Sequence, residues 1–175
     1  MKKMNCIVWI GICVGQLLYA QAIEIPDPNL RQVLAQELGI DEGVQITKED
    51  LATLVVLNAR EESITDLTGL EYCTGLSDLS LEDNKISDLS PLANLTNLYL
   101  LSLGDNRISN LSPLANLTGL SQLYLKRNQI SDLSPLANLI NLSDLDLYSN
   151  RVKDLTPLAK LIWLEYLHLL GNSEI

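Results

Sequence analysis

Side chains able to carry chemistry are sparse in this sequence: one histidine, His168, and three cysteines, Cys6, Cys13 and Cys73. Nucleophilic catalysis needs a nucleophile, a base and an orienting group held together. No HExxH, GxSxG, GxGxxG or phosphate-loop pattern accompanies these residues. Asp144 and Asp146, in DLDLYSN, have the spacing that opens a calcium loop. Glycine is missing from its sixth position, however, and Leu155 stands at the twelfth, where a bidentate glutamate is required. Two carboxylates alone make at most a loose cation site. Ser90, Ser112, Ser134 and Thr156 each precede a proline, and this repetition assigns them to capping of short turns rather than to a triad. The expectation is therefore a non-catalytic chain with no cofactor and no bound metal.

What remains is a set of tyrosines and charged groups, whose meaning depends on the elements that carry them. Asparagine recurs every 22 residues, at Asn84, Asn106, Asn128, Asn150 and Asn172. Around it runs a leucine framework: Leu76, Leu79 and Leu81 before Asn84, then Leu98, Leu101 and Leu103 before Asn106, and so on to Leu164, Leu167 and Leu169 before Asn172. The unit LxxLxLxxNxI is a leucine-rich repeat. In an xLxL strand alternate side chains face opposite ways, so Leu101 and Leu103 point inward and their neighbours outward. The asparagine amide, which both donates and accepts, suits the turn where backbone groups would otherwise be buried unpaired. Ile86, Leu89, Leu92 and Leu95 follow at a spacing near three, fitting short helical or 3₁₀ turns with Pro91, Pro113, Pro135 and Pro157 near their starts.

On these residues the chain resembles the internalin-like bacterial leucine-rich repeat proteins, whose unit reads LxxLxLxxNxIxDLSPLxxLxN, over residues 51–172. The resemblance implies an α/β repeat solenoid: a right-handed arc with short parallel strands on a concave face, 3₁₀ or short helical turns on a convex back, and a small helical N-terminal cap. It also identifies the five asparagines as a structural ladder.

Domain organisation follows. Residues 1–22 read as a secretory signal, with Lys2 and Lys3 as the basic start, an apolar stretch from Ile7 to Leu18, and Ala20-Gln21-Ala22 as the cleavage site. That stretch is too short for a membrane span, which needs about 20 residues. Cys6 and Cys13 leave with the signal, and removing Lys2 and Lys3 takes the formal net charge from −10 to −12. So acidic a surface disfavours nucleic acid and anionic membranes. Cys73 falls in the column of Leu95, Leu117, Leu139 and Leu161 and reads as a small core residue. The apolar content of 47 % includes no phenylalanine, as expected of a leucine array rather than a mixed core.

Residues 23–53 form the expected helical cap. Asp27 and Pro28 start one helix with Leu30, Val33, Leu34 and Leu38 on a stripe and Gly39 as its stop, and Thr47 with Asp50 begins a second through a capping box. Residues 54–175 form the array, about five full repeats and a truncated sixth. Its first repeat is irregular, with Ala59, Glu62, Gly69 and Cys73 at framework positions, as terminal repeats tend to be. Leu164, Leu167 and Leu169 lack a following coil. Truncation, or a makeshift lid from Trp163, Leu170 and the tail, is favoured over designed dimerisation, so a monomer is expected. The sequons at Asn94, Asn110, Asn116 and Asn141 arise from the repeat itself and are read as unglycosylated.

Once framework residues are set aside, three outward columns remain. They read Val56, Asp78, Leu100, Gln122, Asp144, Tyr166; Asn58, Ser80, Ser102, Tyr124, Asp146, His168; and Arg60, Glu82, Gly104, Lys126, Tyr148, Leu170. Tyrosine presents a large apolar area with a polar tip, which makes Gln122, Tyr124, Lys126, Asp144, Asp146, Tyr148, Tyr166 and His168 the candidate ligand-binding residues. The blander reading is that these tyrosines merely suit a strand. In the family resembled, the concave face binds host or surface proteins, which implies recognition of a protein ligand by a secreted or cell-surface chain, or a periplasmic one in a two-membrane envelope. A spacer within a larger surface assembly and a phosphatase-regulator type of scaffold are the alternatives. The signal segment speaks against the second.

Overall fold

The computed structural model describes residues 23–41 and 43–172. The expected signal segment, with Cys6 and Cys13, lies outside the described residues, as does the tail beyond Asn172. Among the described residues two helices, α1 (Pro28–Leu38) and α2 (Lys48–Ala52), precede six strands: β1 (Val56–Asn58), β2 (Asp78–Ser80), β3 (Leu100–Ser102), β4 (Gln122–Tyr124), β5 (Asp144–Asp146) and β6 (Tyr166–His168). Between successive strands lie 3₁₀ turns at Leu70–Tyr72, Ser90–Leu92, Ser112–Leu114, Ser134–Leu136 and Thr156–Lys160. The strands make one open parallel sheet in sequence order. Each pairs in register with the next, so that Leu57, Leu79, Leu101, Leu123, Leu145 and Leu167 form one line. This is the solenoid that the 22-residue period implies.

Each coil closes on its own leucines and those of its neighbours. In the coil of β3, Leu98, Leu101, Leu103, Ile108, Leu111, Leu114 and Leu117 are all buried, and equivalent sets recur on either side in one continuous core. Cys73 takes the place of a leucine there and is fully buried. A coil alone would leave these faces wet, so stability is a sum over neighbouring interfaces.

Just past the strands the chain turns through left-handed backbone at Asp83, Asp105, Arg127 and Ser149, with φ of 51° to 54°. The asparagine that follows reaches into the preceding coil. Asn128 accepts from the Ile108 N–H at 2.9 Å and donates through Nδ2 to the Leu103 and Leu125 carbonyls at 2.9 and 3.1 Å. Asn84, Asn106 and Asn150 repeat the pattern. Asn172 does the same, accepting from Val152 and donating to Leu147 and Leu169.

The serines do not cap the 3₁₀ turns as their spacing suggests. The amides of Ser90, Ser112, Ser134 and Thr156 donate instead to the side chains of Asp88, Asn110, Asp132 and Asp154, at 2.8 to 2.9 Å. Each hydroxyl residue is itself the first member of the turn, so the group that can reach its free N–H stands two positions earlier, in an Asx turn.

At the N-terminal end Asp27 has two roles. Through Oδ1 it caps α1 by accepting from Asn29 and Leu30, and through Oδ2 it accepts from the amides of Thr65 and Asp66 in the first coil. It thereby fastens the helix to the array, where Leu30, Val33 and Leu34 are buried. Thr47 and Asp50 form the reciprocal capping box of α2. Gly75 is required where α2 meets the first coil, because a Cβ there would lie 2.7 Å from the Ala52 carbonyl oxygen.

The other end is bare among the described residues. Leu167 is 38 % exposed, whereas Leu145 beside it is fully covered. Trp163 and Leu170, two of the groups named for a makeshift lid, are 65 % and 71 % exposed, and the tail named with them lies outside the described residues. Trp163 occupies the pre-strand position of Asn97 and Asn141, which is exposed in both, and Leu170 continues the third outward column.

Replacing Asn128 with alanine strands one buried N–H and two carbonyls, and should lower urea-unfolding stability by about 3 kcal/mol. For Asp27, burial alone would push the carboxyl up, but the hydrogen bonds from Thr65, Leu30 and Asp66 outweigh it and hold it below the usual carboxylate range. A depressed pKa in the folded state means stability that is present above about pH 4 and lost as pH falls through the folded value. Asp27→Asn should therefore be less stable near neutrality and show a shallower acid limb in urea titrations between pH 2 and pH 6.

Candidate functional site

The in-register pairing sets outward side chains side by side. Gln122, Asp144 and Tyr166 align across β4, β5 and β6, as do Tyr124, Asp146 and His168. Neighbouring strands lie about 4.8 Å apart, so these six residues form one contiguous lattice. Tyr148 and Lys126 lie two positions further along their coils.

Within the lattice the two carboxylates are flanked by aromatic groups. His168 stacks on Tyr148, with ring centroids 5.1 Å apart and planes 20° from parallel, and meets Tyr166 edge-on at 6.3 Å. Its Nδ1 lies 3.3 Å from Asp146 Oδ1, which also accepts the Tyr148 N–H at 2.8 Å. Asp144 accepts the Ser143 hydroxyl through Oδ2 at 2.6 Å. The Tyr124 hydroxyl donates to Gln122 Oε1 at 3.4 Å. Partial burial, then the charges of Asp144 and Asp146, raise the Tyr124 phenol above its ordinary value and keep it a neutral donor. Tyr166 is the most open of these tyrosines, 48 % exposed.

Lys126 is engaged elsewhere. Its stem lies over Gly104, where an added Cβ would come within 2.8 Å of Lys126 Cγ and Cε. Its Nζ reaches Asp105 Oδ2 at 3.7 Å and Glu82 Oε2 at 4.0 Å. Arg60 approaches Glu82 at 3.4 Å, Ser102 donates to Glu82 at 2.5 Å, and Arg127 approaches Asp105 at 3.3 Å while its guanidinium sits 5.8 Å from the Tyr148 ring centre. Acids and bases therefore pair along the third column and the position after it, and Lys126 faces that rail rather than the aromatic lattice. Arg60, Glu82, Ser102 and Asp105 did not stand out by type. The available signal was glycine beside lysine in a column of alternating charge.

The arrangement offers shape, aromatic area and charge. Among the described residues no group of three or more His, Cys, Asp or Glu side chains is arranged to hold a metal ion, and no helix is long and apolar enough to cross a membrane. Burial, helped by the nearby Glu71 charge, pushes the Cys73 thiol up to about 12, which removes the thiolate needed for nucleophilic work at neutral pH.

A family model for leucine-rich repeats (2 copies) matches residues 95–138. A search of curated proteins finds no match. Among solved structures, an internalin (InlF) from Listeria monocytogenes is similar with a TM-score of 0.79 and 36 % identity, over 86 % of this chain and 46 % of that one. Internalin C2 from the same organism is 30 % identical with a TM-score of 0.55, over 86 % of both chains. The functional domain of InlJ, also from Listeria monocytogenes and described as including a cysteine ladder, shares the fold at 24 % identity and a TM-score of 0.61, with 45 % of its length covered. The present chain thus spans about half the length of the first and third of these structures.

With its thiol buried and its pKa raised, Cys73 should resist alkylation by iodoacetamide at pH 8 in the folded chain and react fully in 6 M guanidinium chloride, as read by peptide mass mapping. Rapid labelling of the native protein would contradict the packing described.

Proposed function

The chain belongs to the internalin-like leucine-rich repeat family, and from that premise we propose that it is an exported, non-catalytic recognition module that holds a protein partner on its sheet face. The observation carrying this reading is the contrast between framework and lattice. From the second coil onward the strand leucines and the asparagine repeat without change, while six adjacent outward positions on β4, β5 and β6 hold two tyrosines, a histidine, two aspartates and a glutamine. Rigid aromatic groups on short strands lose little conformational freedom on contact, and such groups carry much of the energy of protein interfaces. Tyr124, Tyr148 and Tyr166 are assigned as anchors, with Gln122, Asp144, Asp146 and His168 giving direction. The basic start, apolar stretch and Ala20-Gln21-Ala22 of residues 1–22 support export.

Changing Tyr124, Tyr148 and Tyr166 together to serine removes aromatic area from outward positions only and should leave the urea-unfolding transition cooperative. Capture of surface proteins by the immobilised array, quantified by mass spectrometry, should fall at least about tenfold, since hot-spot truncations typically have effects of that size. Undiminished capture by the triple variant would refute this face as the binding surface.

A further inference from the structure

We propose that the sheet face over β4, β5 and β6 docks a basic polypeptide segment and seats one of its arginine side chains against Asp144 and Asp146, among Tyr124, Tyr166 and His168. This rests on the recognition reading above and specifies the chemistry of the partner.

The argument is one of charge complementarity. The first two outward columns of β1 to β6 hold three carboxylates, Asp78, Asp144 and Asp146, and no lysine or arginine. The bases nearest in sequence register, Arg60, Lys126 and Arg127, are drawn to Glu82 and Asp105. Asp144 forms no ion pair among the described residues and is held only by the Ser143 hydroxyl. Asp146 meets a histidine ring rather than a permanent cation. The two carboxylates stand on one strand, with Tyr124 and Gln122 on one side and Tyr166 and His168 on the other.

A guanidinium fits this setting better than an ammonium. It is planar, always charged, donates in a fork to carboxylates and stacks on aromatic faces. Gln122 Oε1 and the Tyr124 phenol add neutral polar groups at the rim. The net charge of −10 would steer a basic segment toward the array, and the unbalanced lattice fixes where it stops.

The test uses the full chain and a fluorescein-labelled peptide of alternating arginine and serine, with glutamate–serine and lysine–serine peptides of equal length, read by anisotropy at about 50 and 150 mM salt. Saturable binding of the arginine peptide is expected, weaker binding of the lysine peptide and none of the glutamate peptide. Asp144→Asn with Asp146→Asn keeps the acceptors used by Ser143 and Tyr148 and should weaken binding at least about tenfold. Asp88→Asn with Asp132→Asn removes the same charge from the 3₁₀ side of the coil, where Asn110 already serves, and should leave binding unchanged. Equal loss in both double variants would reduce the effect to bulk attraction and overturn the proposal, as would binding of the glutamate peptide or equal binding of the lysine peptide.

Partner capture separates the two readings. If capture needs the tyrosines but survives Asp144→Asn with Asp146→Asn and is not displaced by the arginine peptide, the basic-segment proposal falls and recognition stands. If the tyrosine variant captures normally, both fall.

Discussion

The structure depends on a debt between coils that each asparagine settles for the coil before it. A coil of this tightness turns backbone amides and carbonyls toward a leucine interior, where each unpaired group is destabilising by about 1–3 kcal/mol. Asn106, Asn128 and Asn150 answer that need with one acceptor and two donors apiece. Because two of the three groups served, the N–H and one carbonyl, lie one coil back, leucine burial and polar satisfaction are coupled to the same neighbour. The sheet face follows from this, since in-register stacking is what lines the outward columns into a lattice.

Much of the architecture is legible in the sequence because it arises from local rules applied repeatedly. The leucine spacing gives three-residue strands with one face buried, Asp27 with Pro28 and Thr47 with Asp50 mark helix starts, and Gly39 ends α1 in the left-handed conformation. What the sequence hides are contacts made only after stacking. Asp27 reads as a helix cap, yet its second oxygen serves Thr65 and Asp66 nearly 40 residues away. Asp88 and Asp132 look like solvated charges and prove to hold turn amides.

The same distinction applies to the candidate site. Column membership of Gln122, Tyr124, Asp144, Asp146, Tyr166 and His168 follows from the period, and the sheet register places them side by side. Side-chain direction does not follow from the period. Lys126 shares a column with Tyr148, but a glycine at position 104 leaves room for its stem to lie down toward Glu82. The stack of His168 on Tyr148 joins two columns that the pattern treats as separate.

The backward reach of the ladder also gives the array a temporal direction. Ile86 waits for Asn106, Ile108 for Asn128 and Ile130 for Asn150, each 20 residues later in the chain. Wherever the chain emerges N-terminus first, from a ribosome or across a membrane, a coil stays unfinished until the next asparagine follows it out. The emerging chain therefore carries a moving front of one incomplete turn, with the helical end already anchored behind it.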